Sequence, residues 1–144
     1  MKIKVLIADD SDLMRSAIRR TLQEEPRIEV VGEASSFAKT MQMIADCKPD
    51  VLLLDLHLAE KRDFAPDYVQ SQLVAVKHVV AVSFSNDSEA QDLARGYGAV
   101  ALLDKMALYT EMVPTILRCE PNESDIGSLL RKPLMRSAAS GQRS

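Results

Sequence analysis

Four short stretches of this chain carry no polar side chain: Val5-Leu6-Ile7-Ala8, Val51-Leu52-Leu53-Leu54, Val79-Val80-Ala81-Val82 and Val100-Ala101-Leu102-Leu103. A strand apolar at every position must be covered on both faces, as the strands of parallel sheets flanked by helices are. Between these runs the apolar residues switch to helical spacing. Met14, Ala17, Ile18 and Leu22 form one stripe, with Ser11 as its N-cap and Pro26 beyond its end. Phe37, Thr40, Met41, Ile44 and Ala45 form the next, capped by Ser36 or Ser35. Pro66 suits the first turn of a short helix carrying Val69 and Leu73. Ala90, Leu93, Ala94 and Tyr97 follow, closed by Gly96 or Gly98, and Leu108, Met112, Val113 and Ile116 make the last stripe.

Ile28–Ala34 reads as a fifth strand. It alternates, with Glu29 and Glu33 expected opposite Ile28 and Val30, which suits a sheet edge. Five strands alternating with five helices over residues 1–118 predict an α/β fold: a doubly wound (βα)5 unit with right-handed crossovers. The expected sheet is five-stranded and parallel, with the flavodoxin-like order 2-1-3-4-5. Beyond Arg118 the pattern dissolves. Residues 119–144 are expected to be a mostly irregular tail, with a short helix around 126–130. Arg131, Lys132, Arg136 and Arg143 sit near its end, where no acid accompanies them. They are read as a solvated end rather than an anion contact.

Composition narrows the function classes. With 144 residues, 47% hydrophobic and 27% charged, the chain supports a core without disulfides or structural metal. A net charge of −3 does not favour a polyanion-binding surface, and the tail holds no helix-turn-helix pattern. No direct nucleic-acid binding is expected. The two cysteines, Cys47 and Cys119, are too few for a disulfide framework or zinc cluster, which suits a reducing compartment. Cys47 is expected to be a small buried apolar residue. The opening apolar run is too short for a signal peptide or membrane helix, so a cytoplasmic, non-membrane chain is expected.

The polar residues that matter stand where the strands end. Asp9 and Asp10 follow the first strand, Asp55 the third, Ser83 ends the fourth, and Lys105 follows the fifth. In an open parallel sheet ligands bind outside the carboxyl ends of the strands. Adjacent strands lie ~4.8 Å apart, so these groups converge. Two carboxylates ~5 Å apart repel by about 3 kcal/mol at an effective dielectric of 20, and a third adds more. Either one stays protonated or a cation sits among them. Such oxygen donors suit Mg2+, with Mn2+ as a substitute, and Lys105 and Ser83 suit phosphoryl oxygens.

Together, Leu6-Ile7-Ala8-Asp9-Asp10, Leu52-Leu53-Leu54-Asp55, Ser83 and Lys105, with Gly98-Ala99 ahead of Leu102-Leu103-Asp104-Lys105, resemble the receiver domain of bacterial two-component response regulators. The resemblance spans Met1 to about Arg118. It implies that Asp55 is the phosphoacceptor, charged by a histidine kinase, a phosphotransfer protein or a small phosphodonor. Asp10, Asp55 and the His57 main-chain carbonyl would ligate Mg2+, with Asp9 acting through water. Ser83 and Lys105 would bind the phosphoryl group, and contacts with an output partner would change across residues 87–117. Such a chain accepts phosphate and is no enzyme beyond its own phosphorylation and dephosphorylation.

Three residues depart from the family pattern. Leu102 stands where an aromatic switch residue is usual, leaving Ser83 to drive any shift. Phe84 replaces a small residue; it either crowds the phosphate mouth or slows hydrolysis there, or it points into the core. Ala59 replaces a proline, predicting a less rigid loop through Arg62. His57 either shapes water access to Asp55 or is an exposed loop residue. Tyr97 and Tyr109 are read as aromatics at the edge of the core. Two other functions compete: a degenerate receiver binding partners without phosphorylation, and a haloacid-dehalogenase-like phosphatase using Asp10-Ser11-Asp12.

Overall fold

The computed structural model describes residues 2–59, 66–119 and 135–136. In chain order these form β1 (Ile3–Ala8), α1 (Asp12–Gln23), β2 (Ile28–Ala34), α2 (Phe37–Cys47) and β3 (Val51–Asp55). Then come a single turn of helix α3 (Leu56–Ala59), α4 (Pro66–Leu73), β4 (His78–Ser83), α5 (Ser88–Gly96) and β5 (Ala99–Asp104). A 3-10 turn (Lys105–Ala107) leads into α6 (Leu108–Arg118), and β6 (Met135–Arg136) comes last.

All strands pair in parallel in the order β2-β1-β3-β4-β5-β6. The first five follow the expected 2-1-3-4-5. The sixth, a two-residue strand within the tail, pairs with Ala101 and Leu102 on the outer side of β5. The short helix expected around 126–130, the loop through Arg62 and the remaining basic tail residues lie outside the described residues.

Alternation of side chains along each strand divides the core in two. Leu6, Leu52, Leu54, Ala81 and Leu102 pack against α2, α4 and α5 through Phe37, Met41, Ile44, Val69, Leu73 and Ala94. Val5, Ile7, Leu53, Val80, Val82 and Leu103 pack against α1 and α6 through Ile18, Leu22, Leu108, Met112 and Ile116. Both faces of the sheet are thereby dry along the four apolar runs of β1, β3, β4 and β5, whereas the edge strand β2 keeps Glu29 and Glu33.

The helix starts are set by side-chain caps. Ser11 accepts a hydrogen bond from the Met14 amide at 3.1 Å, and Ser36, not Ser35, accepts from Lys39 at 3.0 Å. Asp87 caps α5 by accepting from Ala90 at 2.9 Å. Gly98 takes the left-handed conformation, φ +73°, that turns the chain from α5 into β5.

Four expectations are corrected. Val5 pairs with Val30 but Leu6 pairs with Gly32, so Val31 is an extra residue in β2. This bulge shifts the alternation by one. Glu33 therefore sits on the same face as Ile28 and Val30, where it meets Arg15 and Arg19 of α1. Cys47 is half-buried, its thiol 3.7 Å from the Val31 carbonyl, while Cys119 is the fully buried cysteine. Tyr97 lies inside the core, its ring centroid 6.2 Å from that of Phe37, and Tyr109 is exposed.

Candidate functional site

Strand register builds the site as a staircase. Ala8 pairs with Leu54, which brings Asp9 beside Asp55; Asp55 pairs with Val82, and Ser83 with Asp104. Each functional residue thus ends its strand or stands just past it, and the groups gather above the carboxyl edge of the sheet. Asp9, Asp10, Asp55, Ser83 and Lys105 all line one cavity of about 500 Å3. Every predicted site side chain is brought there except that of Leu102.

Asp9 is buried and fully engaged. Its Oδ1 accepts from the Ser11 amide at 2.9 Å and its Oδ2 pairs with Lys105 Nζ at 3.0 Å. Asp55 is 3% exposed; its Oδ1 accepts from the His57 amide at 3.1 Å and lies 3.5 Å from Lys105 Nζ. Its Oδ2 is buried with no hydrogen-bond partner among the described residues. Burial raises the pKa of the Asp55 carboxyl, and the neighbouring Asp9 charge raises it further, while Lys105 and the His57 amide pull it back. Asp10 is exposed on the β1–α1 loop.

Carboxylate oxygens of Asp9, Asp10 and Asp55 all lie within 4.8 Å of one another. This all-oxygen donor set, with one buried oxygen lacking a donor, suits a hard divalent cation such as Mg2+. Lys105, with only 6% of its side chain exposed, already neutralises part of the cluster. Ser83 is half-buried, and its Oγ accepts from the Ser85 amide at 3.1 Å, leaving its own O–H to donate.

Leu102 is buried on the α2, α4 and α5 side of the sheet, and His57 exposes its side chain. Phe84 does not enter the core: it is 67% exposed, its ring centroid 4.8 Å from Lys105 Nζ. Asp12 is 92% exposed and pairs with Arg15, so it does not join Asp10 as the second acid of a phosphatase pair.

Two contributors escape sequence reasoning. Arg15, 13% exposed, donates from NH1 to the Asp9 carbonyl at 2.7 Å and pairs through Nε with Glu33 at 3.2 Å. It ties the edge strand and α1 to the loop that carries the acids. The weak signal was an arginine four residues after the Ser11 cap. Ser85 holds the Ser83 hydroxyl and accepts from the Asp87 amide at 3.3 Å, joining that loop to the α5 cap.

Residues 5–116 match the family described as the response regulator receiver domain. Among curated relatives, the chain is 29% identical over 142 residues to the transcriptional regulatory protein LiaR of Bacillus subtilis, covering 97% of this chain and 67% of that protein. It is 30% identical over 105 residues to a protein-glutamate methylesterase/protein-glutamine glutaminase of Pyrococcus horikoshii, covering 72% of this chain. That match takes in 28% of the methylesterase's own length. The signal receiver domain of NarL from Mycobacterium tuberculosis superposes with a TM-score of 0.70 at 28% identity, covering 82% of this chain and 95% of that one. The response regulator domain of Thermotoga maritima CheB shares the fold, with a TM-score of 0.66, covering 92% and 98% of the two chains. No helix among the described residues is long and apolar enough to cross a membrane.

Proposed function

Because the chain belongs to the response regulator receiver domain family of two-component signalling, we propose that Asp55 is the residue that receives the phosphoryl group. The observation that carries this reading is the state of its carboxyl: buried, held by one oxygen to Lys105 and the His57 amide, and at the other without a partner among the described residues. A buried oxygen without a donor is costly unless a ligand completes it.

In this reading the Asp55 carboxylate attacks the phosphorus of a phosphohistidine on a kinase or phosphotransfer protein, or of a small phosphodonor. The new P–O bond forms as the P–N bond of the phosphohistidine breaks. The electron pair returns to the imidazole, which takes up a proton. Lys105, already within 3.5 Å of Asp55, follows the charge onto the phosphoryl oxygens, and the free O–H of Ser83 donates to one of them. Asp10, Asp55 and the His57 carbonyl would hold Mg2+, with Asp9 acting through water. When bound, the ion offsets the charge of the acids and of the phosphoryl oxygens. Residues 1–118 would form the signalling unit and 119–144 its tail. The face over residues 87–117, linked to Ser83 through Ser85 and the Asp87 cap, would change its contacts with an output partner.

Incubation with acetyl phosphate and Mg2+ tests the reading. Intact mass should rise by one phosphoryl group, and the gain should vanish with EDTA or in Asp55→Asn. Persistent labelling of Asp55→Asn would reject Asp55 as the acceptor. An unlabelled wild-type chain whose partner binding ignores beryllofluoride would favour the phosphorylation-independent module.

A further inference from the structure

Phe84 is a large apolar residue left in the open beside a cluster of acids and a lysine. It follows Ser83 directly, is 67% exposed, and lines the cavity that holds the acids. Its ring lies over the ammonium of Lys105, 4.8 Å from Nζ to centroid, within the range of a cation–π contact. Lys105 itself has almost no solvent contact, because Asp9 and Asp55 take its charge and Phe84 covers it. A cation–π contact gains strength when the cation is desolvated, as this one is.

We propose that Phe84 is a positioning residue: its ring pins the Lys105 ammonium in the pocket and screens the phosphoryl group on Asp55 from water, making the phosphorylated state long-lived. This rests on the assignment of Asp55 as acceptor. Loss of the signal requires water to attack phosphorus and break its bond to the Asp55 oxygen, releasing inorganic phosphate and the free carboxylate. That attack needs water at the cavity mouth and gains from a phosphoryl group loosely held by its cation. The ring acts against both. One loop carries the ring and the Ser83 hydroxyl, so a movement that brings Ser83 to the phosphoryl group also moves the ring.

Two readouts on the full chain test this. In the unphosphorylated protein, NMR should show the Lys105 ε-methylene protons shifted upfield by the ring. The shift should survive in Phe84→Tyr and vanish in Phe84→Leu, which keeps apolar bulk but lacks a π face. After phosphorylation with acetyl phosphate and removal of the donor, Phe84→Leu should shorten the half-life of the aspartyl phosphate roughly 3- to 10-fold, between the effects of an exposed and a fully desolvated cation–π contact, because the ring itself stays exposed. Phe84→Ala should shorten it further, and Phe84→Tyr should restore it. An unchanged half-life in Phe84→Leu, or a Lys105 methylene unshifted in the wild type, would overturn the proposal while leaving Asp55 as acceptor. A wild-type chain with the shifted methylene that never takes up a phosphoryl group would overturn the acceptor assignment and this proposal with it.

Discussion

At Asp55 the chain accepts a local cost. Burial and the Asp9 charge both raise the Asp55 carboxyl pKa above its ordinary value, against the pull of Lys105 and the His57 amide. A carboxyl whose folded pKa is raised stabilises the fold fully only below its unfolded pKa, and that contribution is lost as pH rises through the folded value. Ionised Asp55 therefore destabilises the protein at neutral pH. Asp55→Asn should raise the thermal midpoint at pH 7 by on the order of 3 °C, about 1 kcal/mol, and the gain should shrink on acidification. Removing the cation should do the opposite. Lys105→Met leaves two buried carboxylates facing each other and should cost about 3 kcal/mol at pH 7 by denaturant unfolding, partly recovered at low pH. These strand-end residues were legible because a parallel sheet sends its carboxyl ends to one edge. Phe84 was legible only as a choice between the phosphate mouth and the core, since an apolar side chain next to a buried strand can take either place, and the position of Lys105 decides it.

Among the elements, β1 and the first turn of α1 do the most to shape the site. Asp9 is fixed three ways, by the Ser11 amide, by Lys105 and by the Arg15 bond to its carbonyl. Arg15→Met should weaken Mg2+ binding about 10-fold by isothermal titration, the usual cost of losing a residue that orients ligands, with a smaller loss of stability. Unchanged Mg2+ affinity would confine Arg15 to packing between α1 and β2. The helices were readable from their stripes, because Ser11, Ser36 and Gly98 are local signals with local effects. The bulge at Val31 was not, because it depends on how β2 lies against β1. Arg15 was missed for the same reason: its partners Glu33 and the Asp9 carbonyl stand on other elements.

On the scale of the whole molecule, the two ends of the sheet carry different chemistry. At the carboxyl end sit the acids and Lys105. At the amino end His78 is buried at the start of β4, and burial, with Lys77 beside it, lowers its pKa from the ordinary 6.5. A depressed histidine contributes stability above its unfolded pKa and loses it as pH falls. The contribution of His78 to the unfolding midpoint should therefore fall between pH 7 and 5, opposite in sign to that of Asp55, and His78→Gln should remove it. Near His78 the buried Cys119 thiol is pushed up to about 11 by burial, whereas Cys47 is half-exposed. A thiol reagent should modify Cys47 in the native protein and reach Cys119 only on unfolding. The central claim concerns the carboxyl end, and chemical mapping tests it most directly. Borohydride reduces an aspartyl phosphate to homoserine. After treatment with acetyl phosphate and Mg2+, peptide mass spectrometry should find homoserine at position 55 and at no other acid. Homoserine at Asp9, Asp10 or elsewhere, or unmodified Asp55 throughout, would contradict the account.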